Sequence, residues 1–168
     1  MKKLLLPFSI VVIIIVIIAI VFSSMVKSDE MVVIKEGNFD KKPLPIVLGK
    51  YQDSDCGMVI ESLEFASEIV TDDGKTRFFH DIGGMGNYLK DKSYKDSVTI
   101  WVYTKDTKEW IDGRVAFYST NEITPMSYGF GAYKQKKDGY ISYDDMFLKI
   151  LRGETLQDPR LRKKALGY

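Results

Sequence analysis

From Leu4 to Phe22 the chain runs for nineteen residues without a charged side chain, and most of them are Ile or Val. At a helical rise of about 1.5 Å per residue such a segment is about 28 Å long, close to the hydrocarbon thickness of a bilayer. The segment therefore reads as a transmembrane helix, and the rest of the 168-residue chain has room for one small domain. Lys2 and Lys3 precede the run, and positive charge favours the cytoplasmic flank. That puts the C-terminal domain on the periplasmic or exterior side. A cleaved signal peptide has a shorter apolar core and a small-x-small site, for which Ser23 and Ser24 directly after Phe22 are poor candidates. No Cys follows the run, which excludes a diacyl lipid anchor there.

Twenty-four Lys and Arg stand against 23 Asp and Glu, so no global charge draws the protein to nucleic acid. The expected organisation is an anchor over 1–25, a stalk over 26–50, a globular domain over 51–153 and a basic, flexible tail over 154–168. The stalk mixes charge with Gly37, Pro43 and Pro45, apart from a strand-like stretch Met31 to Ile34. The tail carries Arg160, Arg162, Lys163 and Lys164.

Within the domain, Phe65 to Val70 and Thr76 to Phe79 flank Thr71-Asp72-Asp73-Gly74-Lys75, which predicts a β-hairpin. Asp81 offers a helix N-cap ahead of Ile82, Met85, Tyr88 and Leu89, although Gly83, Gly84 and Gly86 weaken that helix. Val98 to Tyr103 and Glu109 to Asp112 form a second hairpin, with Val115 to Ser119 as a further strand. Tyr128 to Tyr133 and Tyr140 to Tyr143 flank Lys136-Lys137-Asp138-Gly139 as a last hairpin. Asp144 can then cap a helix carrying Met146, Phe147, Ile150 and Leu151, which Gly153 ends. The order suggests two ββα units, with Asp73-Gly74 matching Asp138-Gly139 and Asp81 matching Asp145. The fold class is α+β: an antiparallel sheet from two ββα-type units with about two short helices, behind one transmembrane helix.

Chemistry is bounded by counting. One Cys, Cys56, and one His, His80, exclude an intrachain disulfide and any Cys-x-x-Cys site. No Gly-x-Ser-x-Gly elbow is present. What remains is sulfur: Cys56-Gly57-Met58, Met85 at the Gly-rich helix and Met126 after Pro125. In an extended segment Cys56 and Met58 share a face, and thiolate with thioether selects Cu(I) over harder divalent ions. Against this, Met is a common core filler, free Cys is often buried, and His80 by default is a polar residue at a strand end. A lone thiol on the oxidising side of a membrane is, however, a liability unless buried or liganded.

The domain resembles the nitrous oxide reductase accessory protein family NosL over about Asp55 to Tyr133. The resemblance rests on Cys56-Gly57-Met58, Phe65 to Val70 leading through Asp73-Gly74 to Phe78-Phe79-His80-Asp81-Ile82-Gly83, Trp101-Val102, Trp110-Ile111-Asp112, Ala116-Phe117-Tyr118, and Thr124-Pro125-Met126 before Gly129 and Ala132. It implies an exported Cu(I)-binding chaperone, not an enzyme, serving a cuproprotein client, with Cys56, Met58 and Met126 as sulfur ligands. His80 is a further possible ligand, Asp81 a cap or supporting partner, and Met85 a third choice. Two departures stand out: family members are usually lipoproteins, and many carry a Cys close to the position of Gly84. A different class of function is a metal-free interaction module of a membrane complex, displaying the domain's many Tyr and Phe residues. An enzyme resembling organomercurial lyases needs a pair of thiols, and this chain supplies one.

Overall fold

The computed structural model describes residues 11–21 and 31–167. They fall in two units, residues up to 30 and the domain from Met31 onward. In the first, 11–21 is helical (α1) with its side chains exposed. Among the described residues no helix is long and apolar enough to cross a membrane. The remainder of the Leu4 to Phe22 run lies outside the described residues.

The domain contains, in chain order, β1 (Ile34–Lys35), β2 (Ser67–Val70), β3 (Thr76–Phe79), α2 (Ile82–Leu89), β4 (Thr99–Tyr103), β5 (Trp110–Asp112), β6 (Phe117–Ser119), β7 (Gly131–Tyr133), α3 (Tyr143–Leu151) and α4 (Pro159–Leu166). It is α+β, as the patterning predicts. A five-stranded antiparallel sheet runs β1-β3-β2-β4-β5, and β6-β7 form a separate pair. Both predicted hairpins of the large sheet are present, β2-β3 and β4-β5.

Strand alternation sorts the central strands onto two faces. Ile69, Phe79, Ile100 and Val102 join Ile82, Met85 and Leu89 of α2, Tyr118, Phe130 and Ala132 of the small pair and its approach, and Met146 and Ile150 of α3 in one core. On the opposite face Phe78 packs with Tyr51 and Ile60, covered by Val32, Leu44 and Ile46.

That second cluster corrects the expectation of a stalk. Residues 31–50 belong to the domain and strap the sheet. β1 pairs with β3 through Ile34 opposite Arg77. Asn38 donates to Thr76 Oγ1 at 2.9 Å, Trp101 Nε1 to the Lys41 carbonyl at 2.8 Å, and Leu44 N to Glu68 Oε2 at 3.0 Å. A two-faced sheet with a polar linker beneath it would leave Phe78 in water; the strap's partly buried Val32, Leu44 and Ile46 prevent this.

Three other elements differ from expectation. Tyr128 to Tyr133 and Tyr140 to Tyr143 do not pair with each other. β6 inserts between them, Tyr118 facing Ala132 on one side and bridging Ile141 on the other. The cap of α3 is Ser142, whose side chain accepts from Asp145 N, so the counterpart of the Asp81 cap is Ser142 and not Asp144 or Asp145. The segment after Gly153 is not without structure: Asp158 caps α4, Pro159 opens it, and Gly167 closes it with φ of 77°. Ahead of it, Leu156 is buried.

Candidate metal centre

The turn Asp53 to Met58 begins with an Asp that organises it. Asp53 Oδ1 accepts from Asp55 N at 2.8 Å and Cys56 N at 3.1 Å, the geometry in which a short acidic side chain replaces a backbone turn. Gly57 follows with φ of 73°, a left-handed conformation that favours glycine. Cys56 is thereby lifted onto the surface as an exposed residue.

His80 leaves the end of β3 directly beneath this turn. Its ring Nδ1 lies 2.6 Å from Asp53 Oδ2, which also accepts from His80 N at 2.9 Å. Cys56 Sγ is 3.9 Å from the same Nδ1. Among the described residues, Asp53, Cys56 and His80 therefore offer ligand atoms within 4.8 Å of one another. Asp53 is 1 % exposed and His80 7 % exposed, and His80 Nε2 is buried with no hydrogen-bond partner.

The electrostatics favour a cation over a free nucleophile. Burial alone would raise the Asp53 carboxyl, but hydrogen bonds from the His80 ring and from the His80, Asp55 and Cys56 N–H groups outweigh it and hold Asp53 below the usual carboxylate range. Partial burial of the Cys56 thiol, with Asp53 and Asp55 beside it, pushes that group up despite a bond from Met58 N. A Cys-His-Asp nucleophile needs the Cys and Asp on opposite ring nitrogens. Here both face Nδ1. The thiol is placed instead where an arriving positive charge would stabilise its ionised form.

The sequence-predicted ligands divide clearly. Met58 and His80, with Val59, Phe65 and Pro125 among their neighbours, wall one open pocket of about 330 Å³. Met126 follows Pro125 in a β-turn closed by Ser127 N donating to the Thr124 carbonyl. The Met126 backbone N–H donates to Asp81 Oδ2 at 2.8 Å, while Asp81 Oδ1 caps α2 through Gly83 N. The Met126 sulfur packs against Gly84, 3.2 Å from where a Cβ on that glycine would stand. Cys56 and Met58 thus lie beside His80, whereas Met126 lies by Asp81 and Gly84 in the first turn of α2, and neither Cys56 nor Met126 is among the residues that line the pocket. Met85 lies elsewhere: it is fully buried in the main core beside α3 residues.

Two of the three glycines that should weaken α2, Gly83 and Gly86, are explained by close packing. A Cβ on Gly83 would meet Tyr128 Cβ at 2.1 Å, and one on Gly86 would meet Ile150 Cδ1 at 2.4 Å. Helix propensity yields here to backbone approach.

Two supports escaped the sequence. Asp53 could have been found from turn chemistry, as an Asp three positions ahead of the Cys with Gly57 behind it. The C-terminal segment also holds the Met126 loop, through Gln157 Nε2 to the Met126 carbonyl at 3.1 Å and Leu156 N to the Tyr128 carbonyl at 3.2 Å. No family model, curated protein or solved structure matches this chain.

Proposed function

We propose that this chain is a membrane-tethered Cu(I) carrier that takes the ion up through Cys56, Met58, Met126 and His80 and passes it by ligand exchange to an exported apo-cuproprotein, such as nitrous oxide reductase. The observation that carries the reading is that Met58, His80 and Pro125, from three distant stretches of chain, wall one pocket beside the exposed Cys56.

A thiolate, thioethers and an imidazole make a soft donor set, suited to Cu(I) and poorly suited to Mg²⁺ or Ca²⁺. Asp53 and Asp55 add a negative field that opposes thiol ionisation until a cation arrives. An exposed thiol and a thioether that is 46 % exposed at Met58 leave room for an incoming ligand to attach before the outgoing one departs. In this reading the Leu4 to Phe22 run is the tether, with the domain on the periplasmic or exterior side. Confinement to the membrane raises the effective concentration of membrane-bound partners.

The test is competition against a chromogenic Cu(I) chelator under reducing conditions, using the full chain in detergent. Wild-type protein should withdraw copper stoichiometrically, and Cys56→Ser should lose most of that capacity. Unchanged competition in both Cys56→Ser and Met126→Ala would remove the proposal.

A further inference from the structure

We infer that Asp53 is a positioning residue that fixes the only histidine of the chain with its proton on Nδ1, so that Nε2 is the nitrogen offered to the bound ion. The inference rests on the Cu(I) reading for the identity of the ion, but its first half, the tautomer, does not.

The oxygens of Asp53 are committed as acceptors. Oδ1 receives the N–H groups of Asp55 and Cys56, and Oδ2 receives the backbone N–H of His80, three groups that can only donate. The remaining contact, Oδ2 to His80 Nδ1 at 2.6 Å, is the length of a short charge-assisted hydrogen bond. It is too short for two atoms sharing one metal. Ligands about 2.0–2.1 Å from a tetrahedral ion lie roughly 3.3 Å apart, so Asp53 and Nδ1 would have to separate before an ion could sit between them. In the arrangement present, a proton joins them.

That settles what Nε2 has to offer. A neutral imidazole with its hydrogen on Nδ1 keeps a lone pair on Nε2. This atom is buried without any partner, in a side chain that is 8 % exposed. An orphaned acceptor inside a fold costs free energy unless something returns to it. His80 also lines the pocket with Met58 and Pro125, and its Nδ1 edge carries both Asp53 and, at 3.9 Å, the Cys56 thiol, so the Cys56 side chain has to turn from that edge to share an ion at Nε2. A carboxylate that orients an imidazole through the nitrogen away from the metal is the usual support for a histidine ligand, and its loss typically weakens binding about 10- to 100-fold. Asp53, Cys56 and His80 are therefore not three equal ligands of one chelate, despite their proximity.

Because His80 is the only histidine, a two-bond ¹H–¹⁵N correlation spectrum of the full chain in detergent, at a mildly alkaline pH, reports this one ring without assignment. Metal-free wild-type protein should show a protonated, pyrrole-type Nδ1 and an unprotonated, pyridine-type Nε2. A proton on Nε2 overturns the inference. Added Cu(I), delivered from a weak chelator complex, should move the Nε2 resonance and leave Nδ1 protonated. Copper that binds while the ring is untouched, or that displaces the Nδ1 proton, overturns the inference and leaves the Cu(I) reading standing. Copper that does not bind, with Nδ1 protonated, defeats the Cu(I) reading and the ligand role while leaving the tautomer intact. Asp53→Asn should mix the two tautomers and weaken Cu(I) binding about 10- to 100-fold. Since the wild-type spectrum needs no substitution, poor folding of that variant does not spare the proposal.

Discussion

Asp81 Oδ2 accepts the backbone N–H of Met126 at 2.8 Å, across 45 positions of sequence, while the same carboxylate caps α2 through Gly83. One side chain thus fixes the start of the helix next to His80 and the loop that presents a thioether. Substituting Asp81 by Ala removes both bonds and leaves the Met126 N–H without its acceptor. Loss of a cap costs about 0.5–2 kcal/mol. Urea unfolding should show at least that loss for Asp81→Ala, with Cu(I) affinity falling in the same variant; Asp81→Asn, which keeps an acceptor for one donor, should fall between it and wild type.

Gly83 and Gly84 are adjacent and should respond differently to the same substitution. At Gly83 an added Cβ would lie 2.1 Å from Tyr128 Cβ, which is tied to its backbone and cannot swing aside. Overpacking of this kind costs about 1–3 kcal/mol or more, so Gly83→Ala should lower the thermal midpoint strongly. At Gly84 the nearest atom is the Met126 sulfur at 3.2 Å, the far end of a flexible side chain. Gly84→Ala should change stability little, or raise it through better helix propensity, while altering Cu(I) affinity by displacing the thioether. Equal thermal shifts in the two variants would contradict this packing.

Glu68 carries a pH dependence. It lies on the strap side of β2, fully buried, with Oε2 accepting only from Leu44 N and Oε1 without a partner. Burial pushes its carboxyl from the ordinary 4.5 up to about 8, against a small opposing effect of the Leu44 N–H. The folded state therefore holds a proton that the unfolded state has released, across the window from about 4.5 to about 8. Stability falls as pH rises through that window, by up to about 1.4 kcal/mol per unit, and levels off above it. Glu68→Gln should flatten this slope and be more stable than wild type near pH 8. Parallel urea midpoints for the two proteins from pH 5 to 8 would exclude it.

What the sequence disclosed follows the range over which each signal acts. The β2-β3 hairpin and the Asp81 cap are local, and Asp72-Asp73-Gly74 and Asp81 announce them; Gly74 does take a positive φ of 76°. The strap was hidden because Pro43, Pro45 and its charges look like a linker, and its value lies in covering Phe78 and Glu68, which local pattern does not reveal. The turn at Gly139 also forms, with φ of 82°, but β6 separates the strands it was expected to pair. At the site, the sulfur motif and His80 were legible as residue types. The turn that Asp53 organises was legible too, but its hold on His80 was not, because that depends on the fold bringing a residue 27 positions away onto its carboxylate.

The tail offers the last test, because its start and stop signals, Asp158-Pro159 and Gly167, are present and its packing reaches the candidate site. Leu156 is 5 % exposed and fits where Gly129 has no side chain; a Cβ there would stand 2.5 Å from Leu156 Cγ. Burying a leucine against a glycine welds the segment to the loop that begins at Thr124, and Gln157 adds a bond to the Met126 carbonyl. Leu156→Ala should therefore cost about 2–5 kcal/mol by removing packed side-chain volume that the surroundings cannot fully refill. Gln157→Ala removes its bonds to the Met126 carbonyl and to the Tyr128 side chain and should cost little stability, yet it frees the carbonyl of the residue that bears the thioether. If the tail positions Met126, Cu(I) dissociation should be faster in Gln157→Ala at an unchanged urea midpoint. An unchanged dissociation rate in that variant, with a destabilised Leu156→Ala, would show that the segment supports the fold and not the site.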